Sequence, residues 1–190
     1  TAINGGITSV EQDITKNDDG SKFVVQYETD LDGTRRKTYE VRIGVDESGN
    51  EYEYKTEYCY NKDGSEATEY TDKNGKNISS TYYNYNSDGS LNFKSIYNFD
   101  DNGICVGRVT YQHTYNADGT TTIRQTESDS SGKTYITSDV TMKDGEEYIR
   151  TEYKYDESGR LVASYTDRYG DEVAKTEYKY DNNGNLVNIT

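Results

Sequence analysis

The sequence predicts an all-β protein built as one long antiparallel meander. Thirteen glycines recur 11 to 16 residues apart, which is the spacing of one strand plus one turn. Between them, side chains alternate with a period of two, and no segment shows a helical stripe. Thirteen turns imply about fourteen strands of roughly ten residues each.

The turns are marked by Asp or Asn three residues before the glycine, in twelve cases of thirteen; Met142 is the exception. We expect these side chains to accept hydrogen bonds from the amides ahead of them, while the glycine closes a type I turn with a bulge. The twelve are Asn17, Asp30, Asp46, Asn61, Asp72, Asn86, Asp100, Asn116, Asp129, Asp156, Asp167 and Asp181.

The segments between turns alternate tyrosine with charged residues. In EYEYKTEYCY, the four tyrosines share one face with Thr56, and Glu53, Lys55, Glu57 and Cys59 share the other. TEYKY repeats this pattern from Thr151 and from Thr176, 25 residues apart, and Leu161, Ala163 and Tyr165 alternate after a turn. Aromatic and β-branched residues in strict alternation favour half-buried strands.

One domain of residues 1–190 is expected, with clear hairpin repeats over 52–190 and degenerate ones over 1–51. Fourteen strands at about 4.8 Å would make a sheet about 65 Å wide. Open twisted sheets rarely exceed about ten strands. We therefore expect a single sheet that twists or coils, or else a sheet folded into two layers, with the tyrosine face inside.

Composition narrows the possible partners. The net charge of -14 and pI near 4.5 disfavour nucleic acid and anionic membranes, and no apolar run is long enough to insert in a bilayer. A low aliphatic content suggests disorder, but 21 Tyr and no Pro indicate a folded chain. Without a signal peptide or an initiator Met, Thr1 is expected to be a processed or constructed end.

The hairpin YKYDESGRLVASYTDRYG and the following TEYKYDNNGNLV resemble the tyrosine-aspartate (YD) repeats of bacterial Rhs and wall-associated proteins and of teneurins. Weaker copies are YCYNKDGS, YNYNSDGSL and YNFDDNGI. The resemblance covers about residues 52–190 and implies a spiralling sheet, a bacterial cell-surface or extracellular location, and non-catalytic repeats. Such a domain would act as a scaffold, spacer or adhesive module.

The tyrosine row is the candidate ligand-binding site. Aromatic rings stack on sugars and phenol hydroxyls bond to sugar hydroxyls, so the alternative function is carbohydrate binding, with glycans or cell-wall components as partners. Other parts of a larger surface protein are the alternative partners, and the rings are otherwise the core of a Leu-poor sheet. The row comprises Tyr52, Tyr54, Tyr58, Tyr60, Tyr83, Tyr85, Tyr153, Tyr155, Tyr178 and Tyr180.

Catalytic and metal sites are not expected, and no cofactor is implied. ETDLDG resembles the start of a calcium loop, but its twelfth position is Tyr39 rather than Glu. The single histidine, His113, has no assignable partner, and a carboxylate-dependent glycoside hydrolase is a weaker alternative. Cys59 and Cys105 lie on strands four apart, about 19 Å in a meander, which is too far for a disulfide.

Overall fold

The computed structural model describes residues 6–190, which form fourteen β-strands and no helix. The strands are β1 (Ile7–Lys16), β2 (Lys22–Asp30), β3 (Arg35–Val45), β4 (Glu51–Tyr60), β5 (Glu66–Lys73), β6 (Lys76–Tyr85), β7 (Leu91–Phe99), β8 (Cys105–Tyr115), β9 (Thr121–Asp129), β10 (Thr134–Lys143), β11 (Glu146–Tyr155), β12 (Leu161–Arg168), β13 (Asp171–Tyr180) and β14 (Leu186–Ile189). Among the described residues there is no helix that is long and apolar enough to cross a membrane.

All fourteen strands belong to one open sheet in the order of the sequence, β1 to β14. Within β1–β6 and within β8–β14, neighbouring strands pair in antiparallel orientation, as hairpin connections require. The prediction of a long single-sheet meander is therefore confirmed, and the two-layer alternative is not adopted.

Two compact units can be distinguished within the chain. The first comprises the described residues up to Asn84 together with Ser95–Val106, and the second comprises Tyr85–Lys94 and Gly107–Thr190. Each contains the same cross-strand pair of threonines at the centre of a hairpin repeat. The hydroxyls of Thr56 and Thr71 lie 3.0 Å apart in the first unit, and those of Thr151 and Thr166 lie 3.0 Å apart in the second.

Ten of the thirteen turns are type I turns closed by a glycine bulge. In the turn from Asp46, the Gly49 amide donates to the Asp46 carbonyl, and the Asp46 amide donates to the Asn50 carbonyl. Gly49 has φ +83°, which only glycine adopts readily. Asp46 Oδ1 accepts from the amides of Ser48 and Asn50, both at 2.9 Å, as the sequence predicts.

Asparagine at the first turn position makes different hydrogen bonds from aspartate at that position. Asn61 Nδ2 donates to the hydroxyl of Ser65, and it is Asp63 that accepts from the Ser65 amide at 2.9 Å. The expectation that every first-position side chain accepts from the amides ahead is therefore wrong for these turns. Asn17, Asn86 and Asn116 repeat the arrangement.

Three turns are two-residue type I′ turns, which the sequence analysis did not separate from the others. Their first residues, Asn74, Asp144 and Tyr169, have φ of 51°, 52° and 51°. Asp72 and Asp167 therefore lie in strands, opposite Asn77 and Glu172, and the prediction that they open turns is wrong. The Asn-Gly and Asp-Gly pairs do not distinguish these turns, because Asp-Gly or Asn-Gly also ends seven of the ten bulged turns.

The sheet buries very little apolar surface. Val25 at 9% exposure and Ala163 at 7% are the buried hydrophobic residues of the described chain. The other buried residues are polar: Ser21, Asp30, Ser80, Thr81, Ser95 and Ser138. The expected tyrosine interior is thus wrong, because a single layer leaves long side chains on both faces in contact with water, and small residues are the ones that become covered.

Candidate functional site

All ten tyrosines of the predicted row are half-buried, five in each unit. They lie on β4, β6, β11 and β13, at alternate positions of each strand. Their hydroxyls have different environments, and these environments decide which rings remain available to a ligand.

Three hydroxyls are bound to the backbone at bulges. Each donates to a carbonyl of the preceding strand: Tyr60 to Lys37 at 2.6 Å, Tyr155 to Ile136 at 2.8 Å and Tyr180 to Leu161 at 2.9 Å. In every case the accepting residue directly precedes the extra residue of a β-bulge. A bulge interrupts the ladder locally, so the tyrosine supplies a bond there.

Two further hydroxyls are bound to carboxylates. Tyr83 donates to Glu69, and Tyr153 donates to Asp139 Oδ2 at 2.9 Å. Burial and this bond raise the pKa of Tyr153 to about 12. Burial acts to raise the pKa of Asp139, but hydrogen bonds from Arg124 and Tyr153 hold it below its ordinary value.

Tyr58 contacts a cation on the neighbouring strand. Lys37 Nζ lies 4.1 Å from the Tyr58 ring centroid and 3.0 Å from Glu40 Oε2. Burial raises the pKa of Tyr58 above its ordinary value. This ring is thus part of a cross-strand cluster of the scaffold.

Tyr52 and Tyr54 differ from the others because they line an open groove of about 310 Å³. Their ring centroids are 5.6 Å apart with planes at 62°, so they form a corner rather than a flat stack. Lys73 Nζ lies 5.3 Å from the Tyr54 centroid. The other lining residues are Asp46, Asn50, Glu51 and Asn74.

Gly44 sets the position of Tyr52. The two residues are cross-strand partners in β3 and β4, and a Cβ at Gly44 would lie 2.5 Å from the Tyr52 hydroxyl. The tyrosine therefore lies over a strand position that only glycine leaves open.

The polar groups of the groove are fixed by the adjoining turns. Asn74 Oδ1 accepts from the Glu53 amide at 2.7 Å, which ties the β5–β6 turn to β4. The Asn50 amide holds the pKa of Asp46 below its ordinary value, and a hydrogen bond with Tyr54 raises that of Lys73. The groove thus presents two carboxylates, an ammonium and amides beside two rings.

The sequence analysis identified the two rings but missed Gly44, Asp46, Lys73 and Asn74 as neighbours. Gly44 carried a usable signal, since a glycine inside a strand often marks a close approach. Asp46 was assigned to a turn only, because its approach to the rings depends on strand register.

The segment that resembles a calcium loop has a structural role. Asp30 of the ETDLDG segment is buried and pairs with Arg36 at 3.4 Å, inside an ordinary turn. Within residues 6–190, no group of three or more His, Cys, Asp and Glu side chains is placed to hold a metal ion.

His113 and the two cysteines also lie apart from the groove. His113 stacks with Tyr115 at 6.5 Å, and burial lowers its pKa. Cys59 and Cys105 are exposed, and no disulfide joins them.

Comparisons with known proteins add little. No protein-family model matches the chain, and no curated protein matches it. Among solved structures, a porin-like protein from Bacteroides uniformis aligns over 98% of this chain and 89% of its own, with 14% identity and a TM-score of 0.34. We therefore interpret the groove from the residues of this chain alone.

Proposed function

We propose that the chain is a non-enzymatic β-repeat domain of an extracellular or cell-surface protein, in which it acts as a scaffold or spacer. The observation that carries this proposal is the use of tyrosine. Hydroxyls of the repeated YxY motifs bond to bulge carbonyls and to strand carboxylates, so the motif builds the hairpins. The resemblance to YD repeats supports the same role.

The acid-base properties of the carboxylates support a non-enzymatic role. A glycoside hydrolase needs a carboxylic acid whose pKa is raised so that it stays protonated. Asp46, Asp100, Asp139, Glu147, Asp156 and Glu177 all have a lowered pKa, which hydrogen bonds in turns or pairing with cations causes. These groups are suited to structure and not to proton donation.

The surface of the domain also suits a spacer. Both faces of the sheet carry charged and polar side chains, and the net charge of -14 favours solubility. An extended sheet of this kind needs no thick core, so repeats can be added along one direction without changing their internal contacts.

Two measurements test the proposal. The purified chain, incubated with a panel of polysaccharides, is expected to release no new reducing ends. Antibodies against it are expected to label intact cells of the source organism or its culture medium. Hydrolysis that persists through purification and is lost in a carboxylate-to-amide variant would overturn the non-enzymatic role. A signal confined to the cell interior would overturn the proposed location.

A further inference from the structure

We propose that the Tyr52–Tyr54 groove binds a neutral saccharide. This inference goes beyond the scaffold role, which stands whether or not the groove is occupied. Its basis is the arrangement of two rings, a cation, two carboxylates and amides around one cavity in the first unit.

The size of the groove fits a small ligand. Its volume of about 310 Å³ lies at the lower end of the range of small-molecule sites. Both rings line the groove at 62° to each other, so a sugar ring that enters it can contact aromatic carbon from both tyrosines. Sugar rings present C–H groups on their faces, which suit this kind of contact.

The polar lining fits hydroxyl groups. Asp46 and Glu51 supply acceptors, Lys73 supplies donors, and the Asn50 side chain supplies both. A sugar hydroxyl both donates and accepts, so a ring carrying several hydroxyls can use this mixed set. Two carboxylates in the lining and the net charge of -14 disfavour uronic acids and sulfated sugars.

The site is pre-organised by the fold. Tyr52 is positioned by the absent Cβ of Gly44, and Asn74 is anchored to β4 by two backbone contacts with Glu53, at 2.8 Å and 2.7 Å. Rigid aromatic groups lose little conformational entropy on binding.

A second cavity in the same unit provides a contrast. It measures about 340 Å³ and lies between Lys76, Phe99 and the turn that contains Asp100 and Gly103. It has one aromatic ring without a hydroxyl and no aromatic corner. We therefore assign saccharide binding to the Tyr52–Tyr54 groove and use Phe99 as the control position.

The test is calorimetric titration of the 190-residue chain with hexasaccharides of β-1,4-linked glucose, xylose, mannose and N-acetylglucosamine. At least one is expected to bind with a Kd below about 1 mM. Tyr52→Ala and Tyr54→Ala should each weaken that binding by about tenfold or more. Phe99→Ala and Tyr169→Ala should leave it unchanged.

Two further variants distinguish the effect of moving the Tyr52 ring from the effect of removing it. Gly44→Ala retains both tyrosines but displaces Tyr52, so it should weaken binding although no lining group is removed. Tyr52→Phe keeps the ring and should retain more affinity than Tyr52→Ala. Far-UV circular dichroism and urea midpoints establish that each variant is folded.

If an alanine variant fails to fold, NMR titration of the unaltered protein decides the question. Ligand-induced shifts of the Tyr52 and Tyr54 ring signals are expected, with smaller shifts at Phe99. The proposal is overturned by the absence of binding across the panel or by equal losses in the control variants.

Discussion

The hydroxyl of Tyr153 donates to Oδ2 of Asp139 across 2.9 Å, and Arg124 donates to both oxygens of the same carboxylate at 2.8 Å and 3.0 Å. The three side chains lie on β11, β10 and β9, so one carboxylate links three neighbouring strands. Because only two apolar side chains are buried among residues 6–190, such cross-strand groups are important in connecting the hairpins laterally.

Tyr153 should titrate at unusually high pH. Its folded-state pKa of about 12 exceeds the ordinary 10.0, so its contribution to stability is complete below pH 10 and is lost as pH rises through about 12. Tyrosinate absorbance at 295 nm, compared with the urea-unfolded chain, should show this late component. Asp139→Asn should shift it toward lower pH, and an unchanged titration in that variant would contradict the assignment.

Tyr60, Tyr155 and Tyr180, whose hydroxyls bond to carbonyls at bulges, should each stabilise the fold through that single hydrogen bond. Tyr155→Phe removes the donor to the Ile136 carbonyl at 2.8 Å and should cost about 1 kcal/mol of unfolding free energy. Urea denaturation monitored by circular dichroism measures the change. Tyr178→Phe is the control. Tyr178 is the first tyrosine of a TEYKY motif, whereas Tyr155 is the second tyrosine of such a motif, and the change at Tyr178 should have a much smaller effect. Equal losses in the two variants would refute a specific role at the bulge.

Acid should lower the stability of the sheet by protonating aspartates in its turns. The Asn50 amide lowers the pKa of Asp46 and the Ile104 amide lowers that of Asp100, both from 3.8. Because their folded-state pKa values are depressed, the stabilisation is present above about pH 4 and is lost as pH falls below it. Urea midpoints should therefore decrease from pH 5 to pH 2.5. Asp100→Asn, which keeps an acceptor oxygen but does not titrate, should reduce that decrease; a midpoint that does not fall with acidification would contradict this reasoning.

Tyr169 should be replaceable with a gain in stability. It holds φ +51° in a type I′ turn while 66% of it is exposed, and its ring contacts Tyr148 at 5.2 Å. Asn adopts this conformation more readily, so Tyr169→Asn should stabilise the protein by about 1 kcal/mol. The reverse change at the equivalent position, Asp144→Tyr, should destabilise it. Thermal unfolding of both variants measures the difference, and a loss in Tyr169→Asn would show that the ring contact outweighs the strain.

The sequence predicts the meander well because each hairpin is a local event. Strand alternation and the glycine spacing depend only on neighbouring residues, and the fourteen strands follow from them. The sequence did not separate bulged from type I′ turns, because the Asp-Gly pair of the type I′ turn at Asp144 also ends bulged turns such as the one at Asp63. In Tyr169-Gly170, moreover, tyrosine gives no local indication of positive φ.

The site was less predictable. Tyr52 and Tyr54 stand out in the sequence, yet nothing in it separates them from Tyr60 or Tyr155. The separation comes from register, which brings Tyr52 against Gly44 and places the turn residue Asn74 beside β4. Those contacts join residues 8 and 21 positions apart, and the register of the β3–β4 and β4–β5 hairpins determines them.

The scarcity of buried apolar side chains has a thermodynamic consequence. Exposure of apolar surface raises the heat capacity on unfolding, whereas exposure of polar surface lowers it. A sheet in which Val25 and Ala163 are the buried hydrophobic residues of the described chain should therefore have a heat-capacity change below the usual value of about 12 to 15 cal/mol/K per residue. Its stability curve is then shallow, so the domain should keep a nearly constant free energy of unfolding across a wide range of ambient temperatures.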